Sequence, residues 1–147
     1  MKAFFDIINS RYVNLVSYKK SGKSVSTPVL IIQNNNCGII RTFSNSGKVK
    51  RIKNNSEVKL SPSTINGKII GNDVNAIARI LDSNNIELMR KIEELFKNKY
   101  KWYKIDILIF SISRMLQYWI NSVFNKGKNN KIIFIEIKKM DVKQATI

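Results

Sequence analysis

The sequence predicts a mainly β fold of the α+β class: an antiparallel barrel of six or seven strands with flanking helices, in one domain spanning residues 1–147. Three observations carry that expectation. Short runs rich in β-branched and aromatic residues recur along the chain, punctuated by Gly, Asn and Pro. Only a few segments, chiefly 85–100 and 104–125, space their apolar residues as helices do. No internal repeat or low-complexity linker divides the 147 residues, of which 44% are apolar, enough for one core.

The elements follow in order. Residues 12–18 are β-rich and pass through Lys19-Lys20-Ser21-Gly22-Lys23, a turn signal, into a second β-rich run over 24–33. Asn34-Asn35-Asn36 makes the next turn, and 37–43 form the third strand of an antiparallel meander. A short basic helix over 46–53 ends at Asn54-Asn55, and strand alternation resumes at Glu57 to stop at Pro62. Two further strands are expected over 65–70 and 74–81, around Gly71-Asn72-Asp73. Asp82-Ser83-Asn84 offers helix caps ahead of Ile86, Met89, Ile92, Leu95 and Phe96, which recur at helical spacing. A second helix over 104–125 combines a wide apolar arc with a narrow polar stripe of Asp106, Ser113, Gln117 and Asn121. The last strand, 131–138, sets Ile133, Ile135 and Ile137 on one face and Ile132, Phe134 and Glu136 on the other; a frayed tail follows Met140.

Twenty-six Lys and Arg against ten acidic residues give a net charge of +16. Such an excess suits nucleic acid, acidic lipid or a phosphorylated cofactor, and equally a merely solvated basic surface. No histidine is present, so imidazole triads, His-ligated zinc and His-ligated haem are excluded. The single cysteine, Cys37, permits no intramolecular disulfide and no multi-cysteine metal site, and reads as a small apolar residue. The N-terminal apolar stretch is short and interrupted by Asp6, which does not fit a secretory signal; a cytoplasmic protein is expected. Residues 105–124 are long enough to span a bilayer, but Asp106, Arg114, Gln117 and Asn121 argue for packing against the barrel or a dimer mate rather than for a span or peripheral lipid contact. Nucleic-acid binding is disfavoured because Tyr12, Tyr18, Phe43, Trp102 and Tyr103 are not interleaved with basic residues on one strand.

The most informative stretch runs from Arg41 to Ile52, where an apolar strand passes through Thr42-Phe43-Ser44-Asn45-Ser46-Gly47 into a basic helix start. The first amides of a helix lack intrahelical partners and carry the positive end of the peptide dipoles, so the junction can seat an anion. Ser44, Asn45 and Ser46 are good caps, Gly47 allows close backbone approach, and Lys48 adds a full charge. An ordinary capped helix explains the same residues. Among the helix cations Lys48 ranks first as a phosphate contact, Arg51 second and Lys50 third.

These pieces, with Arg11-Tyr12-Val13, Gly22 through Val29, Leu60-Ser61-Pro62, Ala78-Arg79-Ile80-Leu81 and Lys99-Tyr100, resemble in order the pyridoxamine-phosphate-oxidase-like split β-barrel family, and within it the deazaflavin-dependent and flavin reductase branch. The resemblance covers residues 10–138. It implies a split barrel that forms homodimers with a cofactor at each subunit interface. Ser46 and Lys48, with Gly47 and Arg51, would then hold the cofactor phosphate, while Val25, Ser26, Thr27 and Pro28 together with Arg41 and Thr42 border the ring system. The chain departs from many relatives at Leu30, where they carry an aromatic residue, and its last strand lacks the Arg- and Pro-containing ending of true pyridoxine-phosphate oxidases. The implied activity is therefore hydride transfer between coenzyme F420, or alternatively FMN, and an organic acceptor. The alternatives are a non-catalytic flavin-binding protein and a basic nucleic-acid-binding barrel. The acidic tail of the deazaflavin matches the net charge of +16, which favours it over FMN. On this resemblance no side-chain acid or base is mandatory, since the redox chemistry belongs to the cofactor, and no catalytic residue is assigned; no metal is expected.

Overall fold

A computed structural model describes residues 2–100 and 131–141. Among these the chain forms seven strands and three helices: α1 (Lys2–Ile8), β1 (Val13–Tyr18), β2 (Ser24–Val29), β3 (Ile31–Asn34), β4 (Cys37–Phe43), α2 (Gly47–Asn54), β5 (Glu57–Pro62), β6 (Val74–Ile80), α3 (Ile86–Lys99) and β7 (Ile132–Lys139). The expected helix over 104–125 lies outside the described residues, as does the tail beyond residue 141.

All seven strands belong to one antiparallel sheet in the order β2-β1-β5-β6-β7-β4-β3. Its two edge strands, β2 and β3, are consecutive in the chain and separated by Leu30 alone. One residue spans only a few ångströms, so the sheet must curl until its edges meet at this corner, yet β2 and β3 do not pair. The result is a split half-barrel, as expected. The β-rich run over 24–33 is therefore two strands rather than one. Pro28, which has no amide to donate, sits on edge strand β2 opposite Asn14.

The expected strand over 65–70 is instead a tight return. Gly67 takes φ 87° and its amide donates to the Thr64 carbonyl at 2.9 Å. The Ile70 amide donates to the Pro62 carbonyl at 2.9 Å, folding the segment back on the end of β5. A central glycine in the left-handed region breaks the extended run that the isoleucines suggested. Ile69 and Ile70 are left exposed.

Two apolar clusters flank the sheet. The inner one joins Val13, Leu15, Ile31, Ile40, Val58, Leu60, Ile135 and Ile137 to Phe4, Ile7 and Ile8 of α1 and Val49 and Ile52 of α2. Helix α1 was not expected, although Phe4, Ile7 and Ile8 carry helical spacing. On the opposite face, Ile32, Ile39 and Phe134 receive Ile92, Phe96 and Tyr100 from α3, with the Phe96 ring stacked 5.9 Å from Phe134 and 6.2 Å from Tyr100.

The end of α3 is tied down by polar contacts. The Lys99 ammonium donates to the carbonyls of Ile31 at 2.6 Å, Ser10 at 2.7 Å and Ile8 at 3.3 Å. It thereby caps the last carbonyl of α1 with a positive charge. The neighbouring Tyr100 hydroxyl lies 2.7 Å from the Arg11 carbonyl, and accepts from the Ile31 amide at 3.1 Å. Burial lowers the Lys99 pKa from 10.5 to about 8.

Candidate functional site

Helix α2 closes one end of the barrel, its Val49 and Ile52 buried in the inner cluster. Alternation along β4 puts Ile40 and Thr42 toward that cluster and Ile39 and Arg41 toward α3. Thr42, 5% exposed and next to the end of β4, therefore lies against the start of α2. The chain turns through Ser44 and Asn45, with the Ser46 amide donating to the Phe43 carbonyl at 3.1 Å.

Ser46 is the N-cap, in extended conformation, and its Oγ accepts the Val49 amide at 3.4 Å. Its Oγ also lies 3.2 Å from Thr42 Oγ1, which in turn accepts a hydrogen bond from Lys48 Nζ at 3.0 Å. One turn further on, Arg51 Nε donates to Ser17 Oγ at 2.7 Å. Ser17 is fully buried near the end of β1. Two cations of α2 are thus each anchored to a hydroxyl on the barrel rim, Lys48 to β4 and Arg51 to β1.

Gly47 fits this arrangement, because a Cβ there would lie 2.8 Å from Arg51 Nη1. The missing side chain lets the guanidinium fold back over the helix start. Burial lowers the Lys48 pKa from 10.5 to about 8, and the nearby Arg51 charge pushes it the same way. Among the described residues no carboxylate pairs with Lys48. The helix start therefore concentrates positive charge where two cations oppose each other, an arrangement that an anion relieves.

The structure brings Thr42, Ser46, Gly47, Lys48 and Arg51 together, and Ser17, which sequence reasoning missed, joins them. Val25 lies directly opposite Ser17 in the β1–β2 register, and Thr27 opposite Leu15, so both share the inner face. Ser26 and Pro28 point to the other face, where Ser26 Oγ accepts from the Asn14 amide at 2.5 Å. Arg41 is also on the outer face and pairs with Glu93 of α3 at 3.6 Å. Lys50 is exposed. Ser17 carried one available signal: strand alternation places it on the same face as Val13 and Leu15, a buried hydroxyl in an apolar row.

Cys37 is partly buried, and burial together with Glu136 raises its pKa, which leaves the thiol protonated at neutral pH. Among the described residues no group of acidic or cysteine side chains could hold a metal ion, and no helix is long and apolar enough to cross a membrane. Residues 105–124 lie outside that statement.

No family model and no curated protein matches the sequence. The fold, however, recurs in solved structures. A Listeria innocua protein provisionally described as a pyridoxamine 5′-phosphate oxidase superposes with a TM-score of 0.55 at 11% identity, covering 95% of this chain and 93% of that one. An F420 reductase gives 0.54 at 10% identity, with 92% of each chain covered. The heme storage protein HutZ of Vibrio cholerae gives 0.56 at 8% identity, over 94% of this chain and 88% of that one. At such identities the likeness establishes the split-barrel fold that these proteins share with this chain.

Proposed function

We propose that the protein is an oxidoreductase that binds a flavin-type cofactor, coenzyme F420 in preference to FMN, and transfers a hydride between it and an organic acceptor. The observation that carries this reading is the Lys48–Arg51 pair at the start of α2, two cations held by rim hydroxyls with no carboxylate on Lys48 among the described residues. A phosphate suits that seat on three counts. It meets the unpaired amides of the helix start, it turns the Lys48–Arg51 repulsion into shared attraction, and it matches the donor geometry of a guanidinium.

In this reading Lys48 and Arg51 hold the phosphate, while Thr42, backed by Ser46, fixes where the Lys48 ammonium points. The cofactor ring supplies the hydride chemistry when bound. The chain's residues bind and orient. The absence of histidine removes imidazole as an acid, a base or a haem ligand, so haem storage of the imidazole-ligated kind is not carried over from the HutZ likeness.

F420 is preferred because its acidic tail suits a net charge of +16, and because an F420 reductase shares the fold. We further propose a homodimer with the cofactor at the subunit interface, which would complete a ring site that Val25, Thr27 and Thr42 only partly border. Titration of FMN and of F420 with the purified protein, followed by fluorescence quenching, tests the proposal. Micromolar binding that Lys48→Ala weakens supports it; failure of both cofactors to bind the wild type refutes it.

A further inference from the structure

We propose that Ser17 is a positioning residue for the anion seat: its buried hydroxyl holds the Arg51 guanidinium over the start of α2, beside Lys48. The inference rests on the phosphate reading of that seat and goes beyond it, since it assigns a role to a β1 residue that contacts no ligand itself.

Arg51 and Lys48 repel each other, and an arginine on a short surface helix would ordinarily extend its guanidinium into water. Here the side chain bends back toward the helix start, as helical side chains lean, and Nε lies 2.7 Å from Ser17 Oγ. Nη1 then sits so close to Gly47 that a Cβ there would approach it to 2.8 Å. Two features of different strands and helices thus shape one orientation: a hydroxyl that binds the inner edge of the guanidinium, and a glycine that makes room for its outer edge.

Ser17 is suited to this task by its place in the fold. It is 0% exposed, next to the end of β1, and faces Val25 of β2 across the ladder. Neighbours on the same face, Val13 and Leu15, belong to the apolar core, so a serine here has no packing advantage over alanine or valine. The hydroxyl finds its partner in Arg51 rather than in a backbone carbonyl of its own strand. Because Nε donates to Ser17, the terminal nitrogens remain directed toward the helix start.

Among the described residues, Lys48 donates to Thr42 Oγ1 of β4, itself 3.2 Å from Ser46 Oγ, and feels the charge of Arg51 on its own helix, while no carboxylate acts on it. Releasing Arg51 therefore removes a neighbouring positive charge, and the Lys48 pKa rises from about 8. That pH signature would not accompany a purely structural role for Ser17.

The test uses inorganic phosphate as the probe, followed by the amide NMR shifts of Gly47 and Lys48. Ser17→Ala, Arg51→Met and the double variant are compared with wild type, and Ser17→Cys, nearly isosteric but a poor acceptor, repeats the comparison without opening a cavity. The expected result is a roughly tenfold weaker phosphate affinity for each single variant, with no further loss when Ser17→Ala is added to Arg51→Met. The Lys48 titration should move upward in Ser17→Ala. Wild-type affinity in Ser17→Ala and Ser17→Cys, or a loss that adds fully to that of Arg51→Met, overturns the role of Ser17 while leaving the phosphate reading intact. Absence of phosphate binding to the wild type overturns both.

Discussion

Replacing Lys99 with methionine separates two effects of a half-buried ammonium that pull in opposite directions. Its charge is expensive to bury, which is why its pKa falls from 10.5 to about 8. Yet it satisfies the carbonyls of Ile8, Ser10 and Ile31 at 3.3, 2.7 and 2.6 Å. The Ile31 carbonyl retains Tyr100 as a partner in the variant, at 3.0 Å, whereas those of Ile8 and Ser10 lose this donor. Each carbonyl left unpaired costs about 1–3 kcal/mol, so the loss at these two carbonyls should destabilise the fold by roughly 2–6 kcal/mol near neutral pH. The sign of the pH effect follows from linkage. The folded-state pKa lies below the unfolded one, so the unfolded chain binds more protons between pH 8 and 10.5, and stability rises with pH across that window. From about pH 7 to about pH 9.5 this lysine should add up to ~2 kcal/mol to the wild type, about half that where residual exposure screens the charge. Lys48 contributes in the same direction but is present in both proteins, so it cancels in the difference. Urea unfolding at the two pH values measures it: the gap between wild type and Lys99→Met should widen as pH rises. An unchanged or narrowing gap would show that Lys99 is not held in a desolvated, charge-disfavouring position.

Further outcomes follow from the same geometry. Ser46→Ala removes the α2 cap and should cost about 1 kcal/mol in urea unfolding, with weakened phosphate binding. Arg41→Ala, on the outer face in an exposed pair with Glu93, should change stability by less than about 1 kcal/mol, and any loss of cofactor affinity should fall equally on FMN and riboflavin. Phosphate affinity of the wild type should decline as pH rises above about 8, where Lys48 loses its proton; an affinity flat to about pH 10 would count against that lysine. Leu60→Ala, in the inner core, should cost about 2–5 kcal/mol by thermal or urea unfolding.

Much of the architecture was legible because turn chemistry and alternation agree locally. Gly22 takes φ 87° between β1 and β2, and Asn35 takes φ 54° between β3 and β4, each where small or amide residues marked a turn. The break at Leu30 was hidden, since no glycine or proline follows Val29 and residues on both sides favour strands. Residues 65–70 misled in the opposite sense: isoleucines suggested a strand, while Gly67 set a left-handed turn. At the site, the cluster of Thr42, Ser46, Gly47, Lys48 and Arg51 was readable because it is local in sequence. The residues expected to border the ring form consecutive runs, and a strand turns every second side chain away, so Arg41, Ser26 and Pro28 face away from Thr42, Val25 and Thr27. Ser17 could not be found from the motif at all, since the β1–α2 contact joins residues 34 positions apart.

The proposed function stands or falls on whether the start of α2 grips a phosphate. Comparing FMN with riboflavin, which differ by that phosphate alone, for wild type and Lys48→Met tests it most directly. The wild type should prefer FMN by roughly tenfold or more, and the preference should collapse in the variant while riboflavin affinity holds. Equal affinity of the wild type for both, or an FMN preference that survives Lys48→Met, would contradict it.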